Sequence, residues 1–303
     1  MLPAEFCGEC GDQVRSDCLG SLAAVGVHKA HWECWSHCNL RCDFCFRTMG
    51  KPIDTDGALR LMRAIKSGGV TSLVFAGGDP TLRPDLPNLV AHARSLGLLP
   101  IVHTNMHRTT EKIWSTFAQC DHVGISIDAA TSEVHDKLRG RKGNFNRVLA
   151  ALDRCARDGI RVSVRTVVNA INLHAVQELG SLLEQFDCVR SWKLLEFSAI
   201  EQGWSNRKLF EISPSQFNAA LLRARCSYAA APVEALRTSD KIDAYMMISP
   251  DGNVYGVTEK SSIKLGKHQY VGQLLGEHLS AISDRLLIDP HRHSQHLKFE
   301  QHV

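Results

Sequence analysis

Apolar and polar positions along this chain alternate with two periods, and the change of period divides it into short apolar runs and longer amphipathic ones. The runs at 31–35, 71–76, 99–103, 122–127, 160–168 and 189–197 have the length and the β-branched or aromatic content of strands. Between them, 55–67 places Leu61, Met62 and Ile65 on one face, and 85–96, 109–119, 144–158 and 173–186 also carry the helical period. Asp54 and Thr109 stand at N-cap positions, and Gly68-Gly69, Gly97 and Gly159 at C-terminal stops. Strand-helix alternation repeated about six times predicts an α/β fold with a parallel sheet and right-handed crossovers. Pattern alone leaves a doubly wound sheet and a closed or partial barrel both open.

After residue 198 the alternation stops. A helix is predicted at 214–229 with Pro214 in its first turn, then a hairpin, Tyr245 to Ile248 and Val254-Tyr255, turning at Pro250-Asp251-Gly252. The polar run His291 to His296 is expected to be a solvated terminus. The chain therefore divides into an N-terminal arm (1–30), an alternating core (31–198) and a C-terminal extension (199–303).

Composition narrows the class. With 44% apolar and 22% charged residues, 303 residues describe a globular protein able to bury a full core. No apolar stretch approaches the ~20 residues that span a bilayer. There is no charged segment leading into a hydrophobic export signal, so a cytoplasmic protein without membrane attachment is expected. Eleven cysteines in such a chain point to metal or redox chemistry rather than a disulfide framework. A net charge of +3 makes no case for nucleic acid.

The cysteines are unevenly spread. Cys7-Gly8-Glu9-Cys10-Gly11 has the form of a zinc knuckle, with Cys18 and either His28 or Cys34 available to complete an accessory metal site. Cys38, Cys42 and Cys45 fall within eight residues, directly after the first predicted strand. Thiolates suit zinc or an iron-sulfur cluster, and a closed zinc site requires a fourth ligand. Three ligands on a four-iron cluster leave one iron open to a small chelating molecule.

Cys38, Cys42 and Cys45, with the aromatic Phe46 after them, resemble the signature of the radical S-adenosylmethionine (SAM) superfamily. The resemblance implies a 4Fe-4S cluster whose open iron holds SAM, reductive cleavage to a 5'-deoxyadenosyl radical, and an electron donor such as a flavodoxin or ferredoxin. It also implies a partial (β/α)6 TIM-like barrel with a C-terminal extension covering its mouth, where parallel α/β folds place their sites. SAM-binding positions follow in order: Phe44 in the loop, Gly77-Gly78-Asp79-Pro80 for the family's Gly-Gly-Glu-Pro, and Thr104-Asn105, with Met106 where the family has glycine. Ser126 and Asp128, Arg139, and Val167 and Asn169 complete the set.

Within the superfamily the chain resembles the viperin-like branch, over most of 31–275. Shared stretches include Leu138-Arg139-Gly140, Val167 to Asn172 and Ser191 to Glu196. That branch dehydrates nucleoside triphosphates to didehydro analogues. Arg47, Lys51, Arg165, Lys193, Lys260 and Lys264 are accordingly candidates for holding an anionic small molecule. The chain departs from the branch in Ser163-Val164-Arg165, where the family has Lys-x-Asn, and in Arg47-Thr48, where it has His-Thr. The alternatives are a radical enzyme acting on a sugar, nucleoside or peptide and, in another class, a non-catalytic zinc or iron-sulfur protein that binds nucleic acid. No cysteine follows Cys226, so no auxiliary cluster is expected there.

Overall fold

The alternation has a physical origin in strands whose two faces meet different surroundings. In the computed structural model, which describes residues 19–286, 288–291 and 293–294, the first strand, β1 (Lys29–Trp35), turns Ala30, Trp32 and Cys34 into an apolar layer under the helices. Its other face carries Lys29, His31 and Glu33, all buried. Parallel strands covered on both sides usually read as continuous apolar runs. Here one covered face is polar, so the runs alternate.

Among the described residues ten strands form one sheet: β1, β2 (Ser72–Gly77), β3 (Leu99–Thr104), β4 (His122–Ser126), β5 (Val162–Val168), β6 (Val189–Glu196), β7 (Val233–Leu236), β8 (Met246–Ile248), β9 (Asn253–Gly256) and β10 (Gln269–Gln273). Their spatial order is β10-β9-β8-β1-β2-β3-β4-β5-β6-β7. Every pair from β8 through β1 to β7 is parallel, and β8-β9 and β9-β10 are antiparallel. The six strands expected from the sequence are β1 to β6, side by side in chain order, as a partial barrel requires.

Local signals behave as their chemistry dictates. The Asp54 carboxylate accepts the Gly57 amide at 2.8 Å and starts the helix Thr55–Ser67, whose Leu61, Met62 and Ile65 are wholly buried. Gly159, in the left-handed region at φ 67, ends Asn144–Asp158. Thr110 rather than Thr109 caps Glu111–Phe117: it has the extended backbone of an N-cap, and its hydroxyl accepts from Ile113 N, which Thr109 stands one residue too far away to do.

The alternation continues past residue 198. After the helix Pro214–Ser227, opened by a Ser213 capping box, β7 joins β6 in parallel, and the expected hairpin, β8 and β9, adds to the opposite edge beside β1. Four short strand residues gave β7 no readable period. Residues 237–245 run directly from β7 to β8, which are not hydrogen-bonded to each other. Leu236 of β7, Met247 of β8 and Ser126 of β4 nevertheless line one cavity, so the parallel run curls around it.

The expectation of a solvated terminus fails at His293. It is buried, its Nε2 accepting the His28 amide at 3.1 Å and its Nδ1 facing the Ala244 carbonyl at 2.8 Å. A neutral imidazole offers one acceptor and one donor, and this position uses both. Cys7, Cys10 and Cys18 lie outside the described residues. No helix among the described residues is long and apolar enough to cross a membrane.

Candidate active site

Cys38, Cys42 and Cys45 lie in the loop after β1 and border a cavity of about 510 Å³, within the ~300–1,000 Å³ range of small-molecule sites. The loop is pinned from beneath by Phe44, which packs with Leu138, Phe197 and Phe210. It is tied laterally by Gly203 N to Cys45 O (3.1 Å), Arg41 N to Arg139 O (3.2 Å) and Asn206 Nδ2 to Asp43 O (3.0 Å). Gly140, with φ 60, makes the Arg41 contact possible, since a Cβ there would sit 2.4 Å from Arg41 O. Burial pushes all three thiols up, Cys42 to about 12. A bound metal cation reverses that preference and makes such thiols good anionic ligands.

Gly77, Gly78, Thr104, Asn105, Ser126, Arg139 and Val167 join the cysteines around the cavity. The two glycines serve the protein's own backbone. A Cβ on Gly77 would stand 2.4 Å from Trp35 O, and one on Gly78 2.1 Å from His37 O, because the chain leaving β1 crosses directly over them. Gly78 N and Asp79 N donate to those same carbonyls at 2.6 and 2.9 Å.

Asp79, Pro80, Asp128 and Asn169 stand behind this wall and do not line the cavity. Asp79, almost fully buried, accepts from Thr81 N, Thr104 Oγ1 and Asn105 N, each at 2.9 Å. Asp128 pairs with Arg139 Nε at 2.7 Å and accepts Val167 N at 2.9 Å. The side-chain amide of Asn169 donates to Val167 O at 3.0 Å. Met106 adopts φ 55, the left-handed backbone a glycine takes without strain. Its buried side chain and the bond from its amide to Thr104 Oγ1 at 3.1 Å offset a cost of ~1–2 kcal/mol.

Of the six candidate basic residues, Arg47 and Arg165 line the cavity. Arg47 Nη1 donates to Ser36 O at 2.9 Å. Arg165 Nη1 is buried with no hydrogen-bond partner among the described residues. Lys193 is brought nearby but bonds Glu234 at 3.1 Å, each side chain 3% exposed or less, and does not line the cavity. Burial drives Lys193 down to about 8 and Glu234 up, so desolvation opposes both charges while pairing restores part of the loss. Lys51, Lys260 and Lys264 are exposed outside the cavity, Lys264 facing Glu259 at 3.7 Å.

Several lining residues were not singled out from the sequence. Lys241 donates to Glu196 O and Ser198 Oγ, both at 2.6 Å, and burial lowers it to about 8. His31 and His103 lie deeper, with ring centroids 6.1 Å apart, and burial keeps both neutral. Gly124, opposite His103 on β4, makes room for that ring: a Cβ would sit 2.3 Å from His103 Cδ2. Glu33 accepts Thr48 N at 2.9 Å and the Thr48 hydroxyl, and burial raises its carboxyl to about 7. The available signal was parity: Lys29, His31 and Glu33 alternate with apolar neighbours in a strand expected to be covered on both faces.

A family model described as the Radical SAM superfamily matches residues 32–183. Among curated proteins, an Fe-coproporphyrin III synthase of Methanosarcina barkeri is 32% identical over 51% of this chain and 40% of its own length. An S-adenosylmethionine-dependent nucleotide dehydratase of Lacinutrix mariniflava is 26% identical over 80% of this chain and 52% of its own. The chain thus spans about half the length of these relatives or less. Among solved structures, Streptococcus suis SuiB bound to S-adenosylmethionine superposes with a TM-score of 0.67 at 15% identity, over 89% of this chain and 70% of that one. The likeness is one of fold.

Proposed function

Because the chain belongs to the radical SAM superfamily, we propose that it is a radical enzyme acting on an anionic small molecule, a nucleotide in the reading its sequence supports best. The site fits the cofactors this requires: three thiols, two glycine backbones and the Asn105 and Ser126 side chains border one cavity of suitable size. Cys38, Cys42 and Cys45 would hold a 4Fe-4S cluster, and Gly77, Gly78, Thr104, Asn105, Ser126, Arg139 and Val167 would surround SAM. When bound, this pair supplies the 5'-deoxyadenosyl radical, formed with one electron from a donor such as a flavodoxin or ferredoxin.

Arg165 carries the substrate assignment. A guanidinium at mid-strand, facing a cavity with Nη1 unpartnered, bears a desolvation cost that an anionic ligand would relieve. Its fork suits a phosphate or carboxylate better than a neutral group. Lys241 holds the segment after β6 against the connection to β8, fixing the cavity's far side. Glu33, with a carboxyl near neutrality, is placed to hold or release a proton at its Oε atoms close to the cysteine loop. The nucleotide reading is supported by the dehydratase similarity, which extends over 80% of this chain.

The test is deuterium transfer. Reconstituted anaerobically with iron and sulfide and reduced in the presence of ribose-deuterated nucleotides, the protein is expected to place deuterium in 5'-deoxyadenosine from one of them. Arg165→Gln should raise KM for that nucleotide by ~10–100-fold, the worth of a charged hydrogen bond. Absence of transfer from every nucleotide overturns the substrate; a single zinc ion and no iron at Cys38, Cys42 and Cys45 overturns the chemistry.

A further inference from the structure

His135 lies on the helix Ser132–Arg139 and is fully buried. Its Nδ1 is 3.1 Å from the backbone amide of Asp128, which can only donate, so Nδ1 accepts. A neutral ring then carries its proton on Nε2, 3.0 Å from Asn144 Oδ1. Burial keeps the ring neutral and so keeps this tautomer. With its oxygen engaged, Asn144 directs Nδ2 to Asn105 O at 3.0 Å. The side-chain amide of Asn105 in turn reaches Asn39 Oδ1 at 2.9 Å and Cys38 Sγ at 3.5 Å.

The other arm starts at the same imidazole. Asp128, whose amide His135 holds, grips the Arg139 guanidinium at Nε (2.7 Å), and the protonated Cys42 thiol donates to the backbone carbonyl of the same arginine at 3.7 Å, a bond that ends when the sulfur becomes an anionic ligand. A chain of polar contacts therefore runs from Cys38 to Cys42 by way of Asn105, Asn144, His135, Asp128 and Arg139. An apolar side chain of similar size would fill the space but leave the Asp128 amide and Asn144 Oδ1 buried without partners. The two arms meet at the imidazole, which accepts from the Asp128 amide on one side and donates to Asn144 Oδ1 on the other.

We propose that His135 is a positioning residue for the cofactor site, fixing through Asn144 the backbone of Asn105, whose side-chain amide donates to Cys38 Sγ, and through Asp128 the Arg139 side chain that lines the cavity. The proposal rests on reading those cysteines as cluster ligands. Its consequence is that His135, without touching either cofactor, influences the affinity for SAM through Arg139 and the reduction potential of the cluster through the Asn105 amide that donates to Cys38 Sγ, because hydrogen bonds to the sulfurs tune that potential.

Three variants test this in the reconstituted holoprotein. His135→Leu removes both contacts, His135→Gln keeps an acceptor and a donor, and Asn144→Leu breaks only the Asn105 arm. His135→Leu is expected to raise the Kd for SAM, measured by calorimetry, about tenfold, equivalent to one buried hydrogen-bonded link. It should also shift the midpoint potential in an EPR-monitored redox titration. His135→Gln should bring both quantities back toward wild type, and Asn144→Leu should shift the potential in the same sense as His135→Leu. A lowered urea midpoint with Kd and potential unchanged, or a Gln variant no better than Leu, reduces His135 to packing and overturns the proposal. Wild-type holoprotein without iron overturns the cluster reading itself, and this inference with it.

Discussion

The rim and the floor of the cavity bury polar groups in opposite ways. At the rim, where strands end, the acidic and amide side chains behind the wall are held by their neighbours: Asp79 by hydrogen bonds from Thr104 and Asn105, Asp128 by the Val167 amide and an ion pair with Arg139, Asn169 by Val167. The rim therefore shows a ligand a wall already set in place. On the floor, within the strands, Arg165 Nη1 and His103 Nε2 have no hydrogen-bond partner among the described residues, and Lys193 and Glu234 form a buried ion pair. Saturation favours a cofactor that is always bound in one pose, whereas unsatisfied groups favour a ligand that arrives and supplies what is missing.

The strongest way to break the comparison is to remove the rim's reason for existing. Replacing Cys38, Cys42 and Cys45 together with alanine should reduce bound iron and SAM cleavage below detection. Circular dichroism should show the barrel intact, because the loop is also anchored by Phe44 and by backbone bonds. Loss of the fold along with the iron would mean the rim is not set in place without its metal.

Next in size is the ion pair on the floor. Lys193→Met or Glu234→Leu alone should lower stability in urea by ~3–5 kcal/mol, because each removes one half of a buried ion pair. The double variant should recover most of that loss. Two single variants that cost less than ~1 kcal/mol each would show the floor to be hydrated and the contrast with the rim to be false.

Glu33 stands at the border between the two regions and gives the smallest effect. Its carboxyl is raised by burial from 4.5 to about 7, so the folded state prefers the protonated form. The associated stability is complete below the unfolded value and is lost as pH rises through about 7, by at most ~3 kcal/mol. Glu33→Gln should flatten the fall in urea midpoint between about pH 4.5 and 7. An unchanged pH profile would place Glu33 with the saturated groups of the rim.

What was readable in advance follows the same division. The cysteine spacing and the strand-end residues form local patterns, so the rim could be assembled from sequence once the resemblance was recognised. The helix Ser132–Arg139 escaped because eight residues with few apolar positions give too little period to detect, although it carries both His135 and Arg139. Lys241 and Tyr245 reach the cavity only because β8 pairs with β1, a long-range event without local trace. Arg165 and Lys193 already stood apart from Lys51, Lys260 and Lys264 because a charge on a barrel strand must be offset where loop lysines reach water, but which of the two faces the cavity was not legible.

The missing hydrogen bonds between β7 and β8 bear on how this scaffold can change its preference. In a fully closed barrel, strand count and stagger fix the girth. Here the circumference is completed by a covalent strap, residues 237–245, which carries Lys241 and Tyr245 on its inner side. Lengthening or re-facing that strap would resize the chamber while every ladder stayed intact, so new specificities can evolve along the seam with the radical chemistry undisturbed.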